Sequence, residues 1–203
     1  MDEKKLFILE QAAQLFFKHG VKSVTMNEIA AQSGISKKTI YQFFKDKEQL
    51  VEEFVDTYFI SNPNFCSPPG EGLTAIDRIF GFRARIVEIS TLIKNNFEFD
   101  FKRTYPRIYA RMEQYKRELI YSSEFSIMEQ GKKEGHFRPE LDSDFVARLS
   151  VGRSLFTLNP ENGLFDDFEY RSLAVFDRII DFQMHAICTP QGLAYYKQQK
   201  QGL

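Results

Sequence analysis

The sequence predicts an all-α protein of about nine helices, on three observations. Leucine, isoleucine and phenylalanine recur at helical spacing along most of the chain, while β-branched alternation and Gly-rich turns are scarce. Residues 25–47 read as two short capped helices around a glycine turn. A Pro/Gly-rich stretch at 61–72 then interrupts the helical pattern before a longer helical remainder. The expected organisation is an N-terminal three-helix helix-turn-helix domain over 1–48. A C-terminal helical domain follows over 49–203, with helix four at the junction.

Helix one is expected over 3–19, where Leu6, Leu9, Ala13 and Phe16 share a face that Ala12 and Phe17 widen. Gly20 ends it, and Val24 stands as a hydrophobic staple before the next cap. Thr25 and Glu28 form an S/T-x-x-E capping box, so helix two should begin there and end near Ser33. Gly34 sits where a left-handed residue closes a helix. Ser36 caps helix three, Lys37 to Phe44, whose Ile40 and Phe44 face the small core. Asp46 caps helix four, which runs from Lys47 through Leu50, Val51, Phe54 and Val55 to Tyr58.

Helix three carries unusual charge. Lys37, Lys38 and Lys45 lie between Ser36 and Lys45 with no acid among them. Lysines in a first turn oppose the helix dipole, at a cost of roughly 0.3–1 kcal/mol each. A docked anion such as a DNA phosphate turns that cost into attraction. Ser36, Thr39, Tyr41 and Gln42 add donors for phosphates or base edges. Residues 21–50 hold five lysines against three acids, net +2, while 51–203 are net −3. A small basic head on an acidic body suits a specific reader of DNA better than a non-specific coat.

The rest of the chain continues as helices. Helix five is expected at about 73–94, apolar on two stripes. Pro106 forces a break, so a short helix ends near Arg103 and a long one runs from about Tyr105 to Lys132, closed by Gly131 and Gly135. Asp142 or Ser143 caps helix eight, which reaches about Leu158. Helix nine spans about 166–187, and Pro190 and a polar Q-Q-K-Q-G tail follow it.

Composition excludes several classes. The chain has 203 residues, 43% hydrophobic and 27% charged, with net charge −1, as in an ordinary globular protein. No apolar run approaches the roughly 18 residues of a spanning helix, and the N-terminus leads straight into an amphipathic segment, so a cytoplasmic protein with no membrane partner is expected. Cys66 and Cys188 fit no metal or redox spacing. His19, His136 and His185 are scattered, no nucleophile, metal or phosphate-loop motif appears, and no enzyme, cofactor or metal is expected.

The order F-F-K-H-G, T-M-N-E-I-A, then S-G-I-S-K-K-T-I-Y-Q-F-F-K-D-K-E-Q-L resembles the tetracycline-repressor (TetR) family of bacterial transcriptional regulators over about the first 55 residues. The resemblance implies a palindromic double-stranded DNA operator, read most simply by a repressor. It implies that Thr25 bonds a phosphate, that Lys37, Thr39 and Gln42 face base edges, and that Tyr41 and Lys47 grip phosphates. Lys38 and Phe43 stand where contact residues vary within the family.

Phe80, Phe97, Phe101, Tyr105, Tyr109, Met112, Tyr115, Phe125, Met128 and Phe156 cluster on helices five to eight. The resemblance implies a cavity there for a small apolar or aromatic effector. One recognition helix covers too little surface for tight specific binding, so a homodimer is expected. Helices eight and nine supply its candidate interface, with Leu149, Gly152, Phe156, Phe176, Ile180 and Met184. The alternative is a helical ligand-binding protein that has lost specific operator recognition.

Overall fold

A computed structural model describes residues 2–61, 72–92, 97–157, 159–166, 169 and 173–201. Ten α-helices are present among them: α1 Glu3–His19, α2 Met26–Gln32, α3 Lys37–Ile40, α4 Lys47–Val55, α5 Ala75–Leu92, α6 Phe97–Thr104, α7 Pro106–Lys133, α8 Ser143–Phe156, α9 Ala174–Ile187 and α10 Pro190–Lys200. The expected all-α class holds. Most of the loop expected over 61–72 and part of the expected start of helix nine lie outside the described residues.

Packing divides the chain into two compact units, Met1–Cys66 with Glu88–Tyr115, and Ser67–Val87 with Lys116–Leu203. α4, expected at the junction, packs with α1 in the core of the first unit.

In the first unit α1 to α4 close on Ile8, Leu9, Phe16, Ile29, Ile40, Phe44, Leu50 and Phe54. Phe54 is its centre: its ring meets Phe16 edge-on at 5.2 Å and Phe17 at 5.5 Å. Such pairs add about 0.5–1.5 kcal/mol beyond the area they bury. Leu6, expected on the inner face of α1, is exposed, and Ile8 is buried instead. After Val55 the chain widens into a π-helical turn, Asp56–Ile60. Arg111 of α7 bonds Glu52 at 3.1 Å and also bonds Asp56.

The second unit packs Ala75, Ile76, Ile79, Ile127, Met128, Phe137, Met184, Ile187 and Tyr196 together. Two sequence readings change here. Gly131 does not end α7. It lies inside the helix beneath the Phe137 ring, and a Cβ there would fall 2.1 Å from Phe137 Cδ2. The helix closes two residues later, with Gly135 at φ +74° and His136 N donating to Gly131 O at 2.9 Å. The polar tail after Pro190 is also a helix. Thr189 caps it by accepting from Gly192 N, and Tyr196 is buried against the core. Its many glutamines and lysines hid a face on which Gly192 and Tyr196 are buried and Leu193 and Tyr195 pack against the core. Cys188 is free and buried, which pushes its thiol up to about 11; Cys66 lies outside the described residues.

Candidate nucleic-acid interface

The interface is built on two short helices whose ends are fixed locally. Thr25 Oγ1 accepts from Glu28 N at 3.2 Å, and Glu28 Oε2 accepts from Thr25 N at 2.7 Å, so both halves of the capping box form. These bonds from Thr25 hold the Glu28 carboxyl below its usual range. At the other end Gly34 turns left-handed at φ +64°. Ile35 N then reaches Ala30 O at 3.1 Å and Gly34 N reaches Ala31 O at 3.2 Å, which satisfies carbonyls that α2 would leave open. That turn sets the angle at which α3 leaves α2.

α3 is shorter than the sequence suggests. Regular α geometry covers Lys37–Ile40, and tighter turn bonds carry the chain on, with Gln42 N to Thr39 O at 3.2 Å and Phe43 N to Ile40 O at 3.0 Å. Ser36 caps it, accepting from Thr39 N at 3.1 Å. Ile40 and Phe44 are fully buried, which pins one side. The other side presents Ser36, Lys37, Lys38, Tyr41 and Gln42, all exposed. Lys37 Nζ lies 5.9 Å from the centre of the Tyr41 ring, so the two side chains stand together. Lys22 and Lys45 are exposed as well.

The remaining expected contacts are placed differently. Thr39 is half-buried, with its hydroxyl 2.9 Å from Ser36 Oγ. Phe43 packs against the core of the head. Thr25 is exposed, yet its hydroxyl donates to Glu28 at 2.8 Å. Lys47 is half-buried and donates to Val21 O at 2.7 Å and Lys22 O at 3.2 Å. Burial pushes its pKa down, and Glu28 pushes it partway back. Its ammonium therefore binds a backbone connector. Nothing within four residues of Lys47 foretells that partner.

The aromatic residues expected to wall one cavity are divided between the two units. Phe101, Met112, Tyr105 and Tyr109 belong to the core of the first unit, with Phe101 edge-on to Tyr109 at 6.1 Å. Tyr115 is half-buried in that unit. In the second unit Met128 is fully buried in the core, while Phe125 stacks on Tyr121 at 6.1 Å and Phe156 is 59% exposed. Phe80 borders a cleft, shared with Phe176 and Ile180. The Phe97 side chain lies outside the described residues.

Of the residues expected at a dimer interface, Leu149, Gly152 and Phe156 lie exposed along α8. Met184 is fully buried in its own subunit, so it offers no surface. Phe145 on α8 and Phe182 on α9 are exposed at 58% and 76%, and neither is among the residues expected at the interface. The spacing of Phe145, Leu149, Gly152 and Phe156 at 4, 3 and 4 residues was the available signal.

Residues 8–54 match the family of bacterial regulatory proteins, tetR family. The chain is 30% identical over 157 residues to the HTH-type transcriptional repressor KstR2 of Mycolicibacterium smegmatis, covering 70% of this chain and 71% of that protein. The chain belongs to the TetR family. The TetR head is also 46% identical over 57 residues to the HTH-type regulator YhgD of Bacillus subtilis, 28% of this chain and 29% of that one. Two solved structures share the TetR fold. A regulator from Cytophaga hutchinsonii has a TM-score of 0.69 at 22% identity, covering 93% of this chain and all of its own. A TetR regulator from Chloroflexus aurantiacus has 0.68 at 19%, covering 92% and 96%. As a TetR protein it is a DNA-binding transcriptional regulator and not an enzyme. No helix among the described residues is long and apolar enough to cross a membrane.

Proposed function

We propose that this protein represses transcription from a palindromic operator, which it reads as a homodimer and leaves when a small apolar or aromatic ligand binds. In this reading residues 1–48 meet DNA, residues 49–203 take the ligand and the partner subunit, and the protein works in the cytoplasm. The observation that carries it is the exposed face of Ser36, Lys37, Lys38, Tyr41 and Gln42, held outward by the buried Ile40 and Phe44. Lys37 and Lys38 supply the charge that phosphates reward, and Gln42 the amide that pairs with an adenine edge.

The dimer is supported by the row Phe145, Leu149, Gly152 and Phe156 along α8, with Phe182 exposed on α9. A contiguous apolar surface of this kind costs solubility unless a partner covers it. The glycine in the row lets two helices approach closely, and a Cβ there would meet nothing in its own subunit.

Fluorescence anisotropy with DNA from around the protein's own coding region tests the reading. Binding should weaken steeply with salt, and Lys37→Ala and Lys38→Ala should each flatten the salt slope by about one. Binding no tighter than to random DNA would instead favour a helical ligand-binding protein without an operator. The commitment of Thr25 and Lys47 to their own subunit is what gives that second reading its weight.

A further inference from the structure

Within the second unit, α5, α9 and α10 border a cleft of about 190 Å³ lined by Ile79, Phe80, Arg83, Phe176, Asp177, Ile180, Tyr196 and Lys200. That is smaller than the roughly 300–1,000 Å³ of sites for drug-sized ligands. Its apolar wall combines Ile79 and Ile180 with three aromatic residues, and Phe80 stacks on Tyr196, ring centres 5.5 Å apart and planes 10° from parallel. Its rim is ionic. Arg83 Nε donates to Asp177 Oδ1 at 2.6 Å and its Nη2 to Oδ2 at 2.9 Å, a two-point grip on a carboxylate. Both side chains are about one third exposed, at 32% and 38%, so another carboxylate can reach the same fork from solvent.

We infer that this cleft binds a small aromatic monocarboxylate, whose carboxylate replaces that of Asp177 on Arg83 while its ring lies against Ile79, Phe80, Phe176 and Ile180. This deepens the effector reading above and rests on it only for what binding does to DNA.

The Arg83 fork decides the class of ligand. Arg83 pairs with Asp177 and Lys200 with Asp181, so the rim is balanced in charge, and the partly exposed two-point donor set of Arg83 is what a carboxylate can take over. A cation, which aromatic walls would otherwise attract, finds the face of Tyr196 already taken by Lys200, whose Nζ lies 5.7 Å from the ring centre. Lys200 is itself bonded to Asp181 Oδ1 at 2.6 Å and Tyr196 to the same oxygen at 3.2 Å, so Arg83 is the rim cation whose partner lies in the cleft. Aromatic contact decides the rest, since a ring gains stacked or edge-on packing against Phe80 and Phe176 that an aliphatic chain does not.

Isothermal titration calorimetry of the full chain with 2-naphthoate, and with uncharged 2-naphthalenemethanol, tests the inference. One naphthoate should bind per chain, at least about ten-fold more tightly than the alcohol. Arg83→Gln should remove that advantage, and Ile79→Trp, which fills the slot, should abolish both. Asp177→Asn leaves Arg83 uncontested and should tighten naphthoate several-fold; it also carries the test if Arg83→Gln does not fold. Naphthoate that fails to bind, or that binds Asp177→Asn no more tightly than the parent, overturns the site. Operator anisotropy in parallel separates the two readings. Binding without DNA release upholds the site and removes the effector role. Release by another compound with no naphthoate bound rejects the site alone.

Discussion

The ammonium of Lys47 sits 2.7 Å from the carbonyl oxygen of Val21, and a second bond at 3.2 Å reaches Lys22 O. The first residue of α4 thus ties down the connector between α1 and α2. Lys47→Met keeps the aliphatic stem and removes both bonds. It should lower the stability of the head by about 1–2 kcal/mol, seen as a lower Tm. The salt slope of DNA binding should stay unchanged. A slope lower by about one with an unchanged Tm would return Lys47 to the phosphate contacts.

Thr25→Ala removes the cap of α2 and should cost about 1 kcal/mol. The penalty should depend on pH. Bonds from Thr25 depress the folded-state pKa of Glu28, so their stabilisation is fully present above its unfolded value near 4.5 and fades as pH falls through the lower folded value. The gap in denaturant midpoint between parent and variant should therefore narrow below pH 4.5. The variant keeps the bond from Thr25 N, the larger cause of the depression, so its Glu28 carboxyl should move only partway back to the usual glutamate range by NMR.

Gly192 allows α10 to dock. A Cβ at this position would fall 2.0 Å from the backbone oxygen of His136, which also accepts from Thr189 N at 2.9 Å. Backbone cannot rotate away as a side-chain tip can. Gly192→Ala should destabilise the second unit by about 2 kcal/mol or more. Hydrogen exchange should quicken over α10 and the 135–138 turn first. An unaltered melting curve would show that the close approach is not required.

Leu149→Glu and Phe156→Glu place a charge in the exposed row of α8. Each side chain is more than half exposed within the subunit, so the folded chain should tolerate the change with an unaltered helical spectrum. Sedimentation should shift from dimer to monomer, and operator affinity should fall with it, because one head alone reads a half-site. A monomeric parent would refute the dimer, and dimers that survive both changes would relocate the interface.

Much of the head was legible because its instructions are local. The Thr25–Glu28 box, Gly34, the Ser36 cap and Asp46 each act on a backbone group within a few residues, so letters and spacing suffice. The burial of Ile40 and Phe44 followed from their spacing of four on a helix. Less was legible of the second unit. Phe80, Phe125, Met128 and Phe156 are equally apolar on paper, yet one borders a cleft, one stacks on a tyrosine, one is core and one faces outward. The helix over 190–200 was hidden because its polar residues outnumber the two that are buried.

By itself, then, the sequence determined an all-helical chain, the caps and turn of its DNA-reading head, and the basic face of α3. Those features depend on hydrogen bonds and periodicities that close within one or two turns. The tertiary structure alone decided that Lys47 serves Val21 across 26 residues, that Arg83 grips Asp177 across 94, and that Phe145 and Phe182 are left uncovered. Side chains of one chemical type become core, cleft or surface only when distant helices are brought together, and no local pattern records which helix arrives.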